Sequence, residues 1–193
     1  MKRQYWKPGN MLYPLPVVMV RCKRKDERPN IITVAWAGTI CTNPAMLSIS
    51  VKPERYSYDI IKESGEFVVN LVTKDMAYET DFCGVKSGKD IDKFKELGLK
   101  EAESKIVKVP GIDKSPVNIE CKVVEVKELG SHSMFIAKVV SVNVNEALID
   151  ETGRFNLNQA DLLTYSHGEY YSLGKKVGTF GYSVKRKKNK KRR

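Results

Sequence analysis

NIITVAWAGTICTNPAMLSISVKPERYSYDIIKESGEFVVNL, residues Asn30 to Leu71, decides how the rest of the chain is read. Ile31 to Ile40 reads as one strand whose centre, Ala35, Trp36, Ala37, Gly38 and Thr39, sets small side chains around a single tryptophan. Backbone amides there can approach a ligand without bulky side chains intervening. Met46 to Val51 alternates strictly, with Leu47, Ile49 and Val51 on one face and Met46, Ser48 and Ser50 on the other, which is the period of a second strand. Lys52, Pro53, Glu54 and Arg55 then turn the chain, and Ser57 is expected to N-cap a short helix that carries Ile60 and Ile61 and stops at Gly65. A helix N-terminus with free amides, a hydroxyl and two cations nearby is a ready anion site. A pocket of small residues beside such a turn suits a flat ring system that carries a phosphate.

Outward from this unit the chain is dominated by strands. Val17 to Cys22 reads as a first strand, closed by the polar loop Lys23 to Asn30, and Glu66 to Val72 as a strand after the Gly65 stop. Thr73 to Asp81 reads as helical, and Asp90 to Leu97 as a short amphipathic helix with Ile91, Phe94 and Leu97 on one face and Gly98 behind it. Asn118 to Leu129 and Ser133 to Glu146 are two long valine-rich β segments across a short link, hence a hairpin. Asp150 to Arg154 is a turn, and the segment from there to Leu173 reads as loop with at most short helices. There is no βαβ alternation, so a barrel is favoured over a doubly wound sheet.

The 193 residues suit one folded domain over residues 1–180, followed by a polybasic tail over 181–193. Of the net charge of +11, eight positive charges lie in Lys185 to Arg193, leaving +3 for everything before them. Such a run repels itself and has nothing apolar to bury, so it is expected to be disordered. It is either a solvated extension or a contact for nucleic acid or another polyanion. Cys22, Cys41, Cys83 and Cys121 form no CxxC pair and no zinc-type spacing, so no metal site is expected. The start of the chain has no apolar leader and no stretch approaches the ~20 apolar residues that span a bilayer, so a cytoplasmic protein with reduced thiols and no membrane contact is expected.

The Asn30–Leu71 stretch resembles the flavin reductase-like family of FMN-binding split β-barrels, which includes flavoredoxins and ferric reductases. Three further segments continue the likeness in order: Asp81 to Gly84 with Lys86 to Lys89 and Asp92 to Phe94, then Gly130 to Ala137, then His167 to Gly174. The resemblance spans roughly Tyr13 to Leu173. It implies a mainly β fold, a Greek-key split barrel with a few short peripheral helices, and a homodimer with flavin sites near the subunit interface. It also implies FMN as cofactor and NAD(P)H as co-substrate, with electrons passed to a free flavin, a ferric complex or a small redox protein. A flavoredoxin-like carrier without NAD(P)H oxidation is the alternative, and a flavin-free nucleic-acid-binding β-barrel a remoter one.

On that resemblance the flavin ring would lie against Trp36, Ala37, Gly38 and Thr39 and the strand bearing Ser48 and Ser50. Small residues also serve tight sheet packing, and that plainer role stays open. Lys52, Arg55, Ser57 and Tyr58 are the candidates for the phosphate, since charge-assisted bonds are the strong ones. Lys86, Ser87, Gly88 and Lys89 form a second polar loop that could close over the ribityl-phosphate arm, or be an ordinary surface loop. His132, in the Gly130–Ser133 turn, is the catalytic candidate, because the family's histidine there approaches the flavin or nicotinamide side of the pocket. His167, with Tyr170 and Tyr171, lines the pocket or simply packs. Cys41 and Cys83 flank the proposed pocket, Cys83 as a candidate cofactor contact, although a free cysteine is more often a small buried hydrophobe. No Gly-x-Gly-x-x-Gly fingerprint is present, so a nicotinamide cofactor would bind without a Rossmann unit.

Overall fold

The Ile31–Ile40 segment is two strands rather than one, and the break between them creates the barrel. In the computed structural model, which describes residues 1–185, the chain forms β1 (Leu15–Pro16), β2 (Val18–Cys22), β3 (Asn30–Val34), β4 (Ala37–Cys41) and β5 (Met46–Val51). There follow α1 (Tyr56–Ser64), β6 (Glu66–Leu71), α2 (Ala77–Val85) and α3 (Lys93–Glu96). The short β7 (Glu101–Ala102) and β8 (Gly111–Ile112) precede the long β9 (Val117–Glu128) and β10 (Ser133–Val144), and β11 (Leu163–Ser166) and β12 (Glu169–Ser172) close the set. Arg186 to Arg193, most of the expected tail, lie outside the described residues; Tyr182–Val184 just before them form a short exposed 3₁₀ turn.

Seven strands make one antiparallel sheet in the order β3-β2-β6-β9-β10-β5-β4. Its two end strands, β3 and β4, are consecutive in sequence and separated only by Ala35 and Trp36. The sheet must therefore curl until its ends meet, and the bend at Trp36 is the seam of a split barrel. Bulges in the β9–β10 ladder at Ile136/Ala137 and Val139/Ser141 supply extra twist where the long hairpin has to curve.

The barrel interior is filled by Val18, Val20, Phe67, Val69, Ile49 and Phe135, with Ile60 and Ile61 of α1 plugging it. Burying each isoleucine is worth roughly 1.5–3 kcal/mol, which fixes where the N-terminus of α1 emerges. β2 is buried at all five positions because its other face, Met19 and Arg21, is covered too. Beneath it a second core joins Met19, Ile31, Met76, Cys83 and Ile112. Arg21 is buried there with its guanidinium 3.7 Å over Phe94 and 2.7 Å from Glu101.

The segment before Leu173 is not loop. β11 and β12 form a two-residue hairpin whose turn, His167–Gly168, has φ +49° and +88°, and β1 pairs alongside β11. Positive φ at both central residues is the geometry that two-residue hairpins favour, and the His-Gly pair gave a weaker cue than Asn-Gly. Ser57 is not the N-cap of α1. Arg55 takes that position without a side-chain cap, and Gly65 ends the helix in the left-handed conformation with its N–H on the Ile61 carbonyl. α2 extends to Val85, past the expected end at Asp81, whereas α3 shrinks to four residues capped by Asp92.

Candidate functional site

Three contiguous clefts line the barrel seam. The central one, about 460 Å³, lies between the Trp36 bend, the β5–α1 turn, α2 and the β11–β12 hairpin. A smaller polar cleft of about 180 Å³ shares Ile32, Arg55 and Gly84 with it and runs toward α3. On the other side of the tryptophan a cleft of about 560 Å³ shares Asn10, Trp36 and Ser50 with the central one. The segment Gly9–Tyr13 walls that third cleft opposite Ala37, Gly38 and Ser48.

Trp36 is held at the seam because its carbonyl accepts the Ser50 N–H at 2.8 Å. Its indole lies nearly parallel to the His132 ring, with centroids 6.0 Å apart and planes 6° from parallel. His132 arrives there because the β9–β10 link is tight, closed by the Leu129 N–H on the His132 carbonyl at 2.9 Å. The two aromatic residues thus make one wall of the central cleft, and Tyr165 and Tyr170 of the hairpin line it as well. Tyr170 donates its hydroxyl to Asp81 on α2 at 3.1 Å; burial, with this bond second, pushes its phenol up to about 12.

The polar cleft is built by the turn predicted from Lys52 to Arg55, closed by the Arg55 N–H on the Lys52 carbonyl at 3.0 Å. Arg55, Ser57, Lys86, Ser87 and Gly88 all line it, so the two basic loops that are 30 residues apart in sequence meet in space. Two residues missed by sequence reading complete it. Asn30 donates to the Ser57 hydroxyl at 2.8 Å, and that buried hydroxyl also lies beside the Cys22 thiol. Lys93 is buried, with its ammonium 3.1 Å from the Cys83 carbonyl and 3.0 Å from that of Lys86, at the C-terminal end of α2. Burial lowers its pKa, and no carboxylate partners it among the described residues. The Ile91/Phe94/Leu97 pattern assigned Lys93 no role; as the first residue of the short α3 it is buried against the end of α2.

Gly88 is needed for close approach. A Cβ there would fall 1.8 Å from the Asn30 side-chain oxygen, so a larger residue would push aside the group that orients Ser57. Lys52 and His132 line the central cleft, Ser50 lines both neighbours of Trp36, and Ala37, Gly38 and Ser48 face the third cleft. The remaining expected contacts are placed elsewhere. Tyr58 points into the core, its hydroxyl 3.1 Å from that of Ser133 and its ring edge-on to Phe135, because the third residue of α1 faces the barrel. Thr39 is exposed on the end strand and Lys89 is exposed beyond Gly88, neither lining a cleft. Cys83 reaches the polar cleft but its thiol is buried and pushed up to about 11 by desolvation, the state of an inert packing residue. His167 packs on Tyr13 with ring centroids 4.4 Å apart. No cluster of His, Cys, Asp or Glu among the described residues could hold a metal ion, and no described helix is long and apolar enough to cross a membrane.

A protein-family model described as a flavin reductase like domain matches residues 10–174. The chain belongs to the flavin reductase-like family. Its fold is similar to flavoredoxin of Desulfovibrio vulgaris (Miyazaki F), with a TM-score of 0.87 and 28% identity over 95% of this chain and 100% of that one. An FMN-binding protein from Thermus thermophilus, crystallised with 1-cyclohex-2-enone, has a TM-score of 0.77 at 23% identity, over 92% of this chain and 99% of that one. In sequence this chain is 24% identical to the reductase component of an FADH(2)-dependent resorcinol hydroxylase from Rhizobium sp., over 67% of this chain and 70% of that protein. This flavin reductase-like chain therefore has the split barrel expected from its sequence, and its three clefts sit on the seam of that barrel.

Proposed function

We propose that the chain binds FMN across the central and polar clefts and works as an NAD(P)H-dependent flavin or ferric reductase. The observation that carries this reading is the meeting of Arg55, Ser57, Lys86 and Lys93 in a small polar cleft that opens into a larger aromatic one. The donor set fits a single phosphate monoester: two ammonium groups, a guanidinium, a hydroxyl held by Asn30, and the amides at the start of α1. The central cleft lies within the ~300–1,000 Å³ typical of small-molecule sites, and Trp36 and His132 give it a flat wall. The FMN-binding neighbour from Thermus thermophilus supports the choice of cofactor.

FMN would bring to the site its capacity to take a hydride and pass electrons on, while the protein supplies position and electrostatics. Arg55, Ser57 and Lys93 would anchor the phosphate, Ser50 and the Trp36 backbone would bound the ring, and His132 would orient the incoming donor beside Trp36. The electron acceptor would be a free flavin, a ferric complex or a small redox protein. The family resemblance implies a homodimer as the working form, and the exposed Met11 and Leu12 at the third cleft leave surface there for a second copy of the chain.

A flavoredoxin-like carrier is the second reading, favoured by the likeness to the Desulfovibrio protein. The purified protein should be yellow, and denaturation should release FMN identified by chromatography; FAD as sole occupant refutes the cofactor assignment. Steady-state NADH and NADPH oxidation with flavin and ferric acceptors then separates reductase from carrier.

A further inference from the structure

The wall of the polar cleft is braced from behind by a residue that does not line it. Arg28, on the loop before β3, lies in a narrow crevice with Gly88, Asp92 and Lys93 rather than in the cleft itself. Its guanidinium takes two partners: one nitrogen donates to the Gly88 carbonyl at 3.1 Å, and the other lies 3.4 Å from the Asp92 carboxylate. Asp92 is itself fixed, because its other oxygen caps α3 by accepting the Phe94 and Lys95 N–H groups at 3.2 Å each. The arginine fork thus ties Gly88 to the start of the helix that opens with Lys93. A lysine, a point charge on a flexible stem, does not hold two acceptors in fixed directions in this way.

Peptide planarity carries this contact into the cleft. The Gly88–Lys89 bond is trans, so its N–H points opposite to the carbonyl that Arg28 holds. That N–H, of Lys89, donates to the Ser87 hydroxyl oxygen at 3.2 Å. Ser87 lines the polar cleft, and its hydroxyl meets no protein acceptor among the described residues, so its proton can be given to an anion there. We propose that Arg28 is a positioning residue of the phosphate cleft: held by Asp92, it sets the Gly88–Lys89 peptide and, through it, the Ser87 hydroxyl that meets the phosphate. The proposal rests on the FMN reading above. Arg28 touches no ligand in that reading, and exposed ion pairs such as Arg28–Asp92 contribute little to stability, so its effect falls on phosphate affinity.

The test uses the full-length protein, freed of flavin and titrated with FMN and with riboflavin. Arg28→Ala should raise the Kd for FMN about three- to tenfold, the loss expected when one hydrogen bond is misdirected, and that for riboflavin by less than about twofold. Ser87→Ala should cost a similar factor, and the double variant should stay within about twofold of the weaker-binding single variant, because the two residues act in one chain. Arg28→Lys, which keeps the charge without the fork, should bind FMN more like Arg28→Ala than like the wild type. Amide hydrogen exchange across Lys86–Ile91 of the flavin-free protein should be faster in Arg28→Ala, since the brace holds the loop before any ligand arrives.

Full restoration of FMN affinity by Arg28→Lys overturns the proposal, since charge acting at a distance would then account for the loss. So do additive losses in the double variant, unchanged exchange in the loop, or equal losses for FMN and riboflavin. A wild-type chain that binds riboflavin as tightly as FMN, or binds neither, overturns the phosphate reading and the proposal with it, and shows this before any variant is made.

Discussion

Lys93 keeps its ammonium inside the protein with two backbone carbonyls as acceptors and, among the described residues, no carboxylate partner, an arrangement that leaves positive charge facing the polar cleft. Desolvating that charge is costly, and an anion in the cleft offsets it. Ser57→Ala, Arg55→Ala and Lys93→Ala should each raise the Kd for FMN about ten- to a hundredfold, from roughly 1.5–3 kcal/mol per charge-assisted bond. Riboflavin, which lacks the phosphate, should respond far less in the same titration; equal losses for both would point to a folding defect. Gly88→Ala should weaken FMN binding in the same sense, because its Cβ displaces Asn30 from Ser57. His132→Ala should slow reduction by NAD(P)H about 10²–10⁴-fold with near-normal flavin content if it acts in the transition state; stopped-flow rates at the wild-type level would return it to packing against Trp36. That Arg55 and Ser57 lie side by side was legible from the Lys52–Arg55 turn and the helix after it, and both line the polar cleft. Asn30 and Lys93 were not legible, since their roles depend on β3 and α3 converging from distant sequence.

At the scale of elements, the loop from Ser104 to Val109 is tied to the sheet by two carboxylates, Glu66 of β6, which accepts the Lys108 N–H at 3.0 Å, and above all Glu120 of β9. Glu120 of β9 is 1% exposed, and its carboxylate accepts the N–H groups of Lys105, Ile106 and Val107 at 2.9, 2.7 and 2.9 Å. Burial opposes its ionisation, but those bonds together hold its pKa below the ordinary glutamate value. A carboxylate depressed in the folded state stabilises the protein above its unfolded pKa, about 4.3, and that contribution disappears as pH falls through the folded value. Glu120→Gln should therefore be less stable than wild type near neutrality, and the gap in denaturation midpoint should narrow as pH drops below about 4. Glu120→Ala should cost about 2–4 kcal/mol, read by urea unfolding. Long strands and the β9–β10 hairpin could be read from valine-rich alternation, and Gly65 from its position after an apolar face. The β3–β4 break could not, because both strands keep an apolar pattern and only closure of the sheet demands a bend at Trp36. The β11–β12 hairpin hid behind a His-Gly turn with little propensity signal.

For the whole molecule, the decisive separation is between a mildly charged fold and a concentrated basic end. Eight of the charges that make up +11 fall in Lys185–Arg193, whereas the clefts and both cores are complete before Ser172. The seam of the barrel is closed by β3, β4 and β5, and the last strand to line the central cleft is β12. Nothing in that construction calls on a polybasic segment, and such a run offers no apolar surface to bury. Removing Lys185–Arg193 should leave the thermal midpoint, the flavin content and electron transfer to small acceptors within experimental error of the full chain. What should change is binding to polyanions: affinity for a heparin column or a DNA duplex should fall, and the full chain's binding should weaken steeply with salt because it is driven by counterion release. A folded truncation that no longer holds flavin would mean that the basic segment reaches the cleft. The phosphate would then be anchored from the end of the chain as well as from α1 and α3.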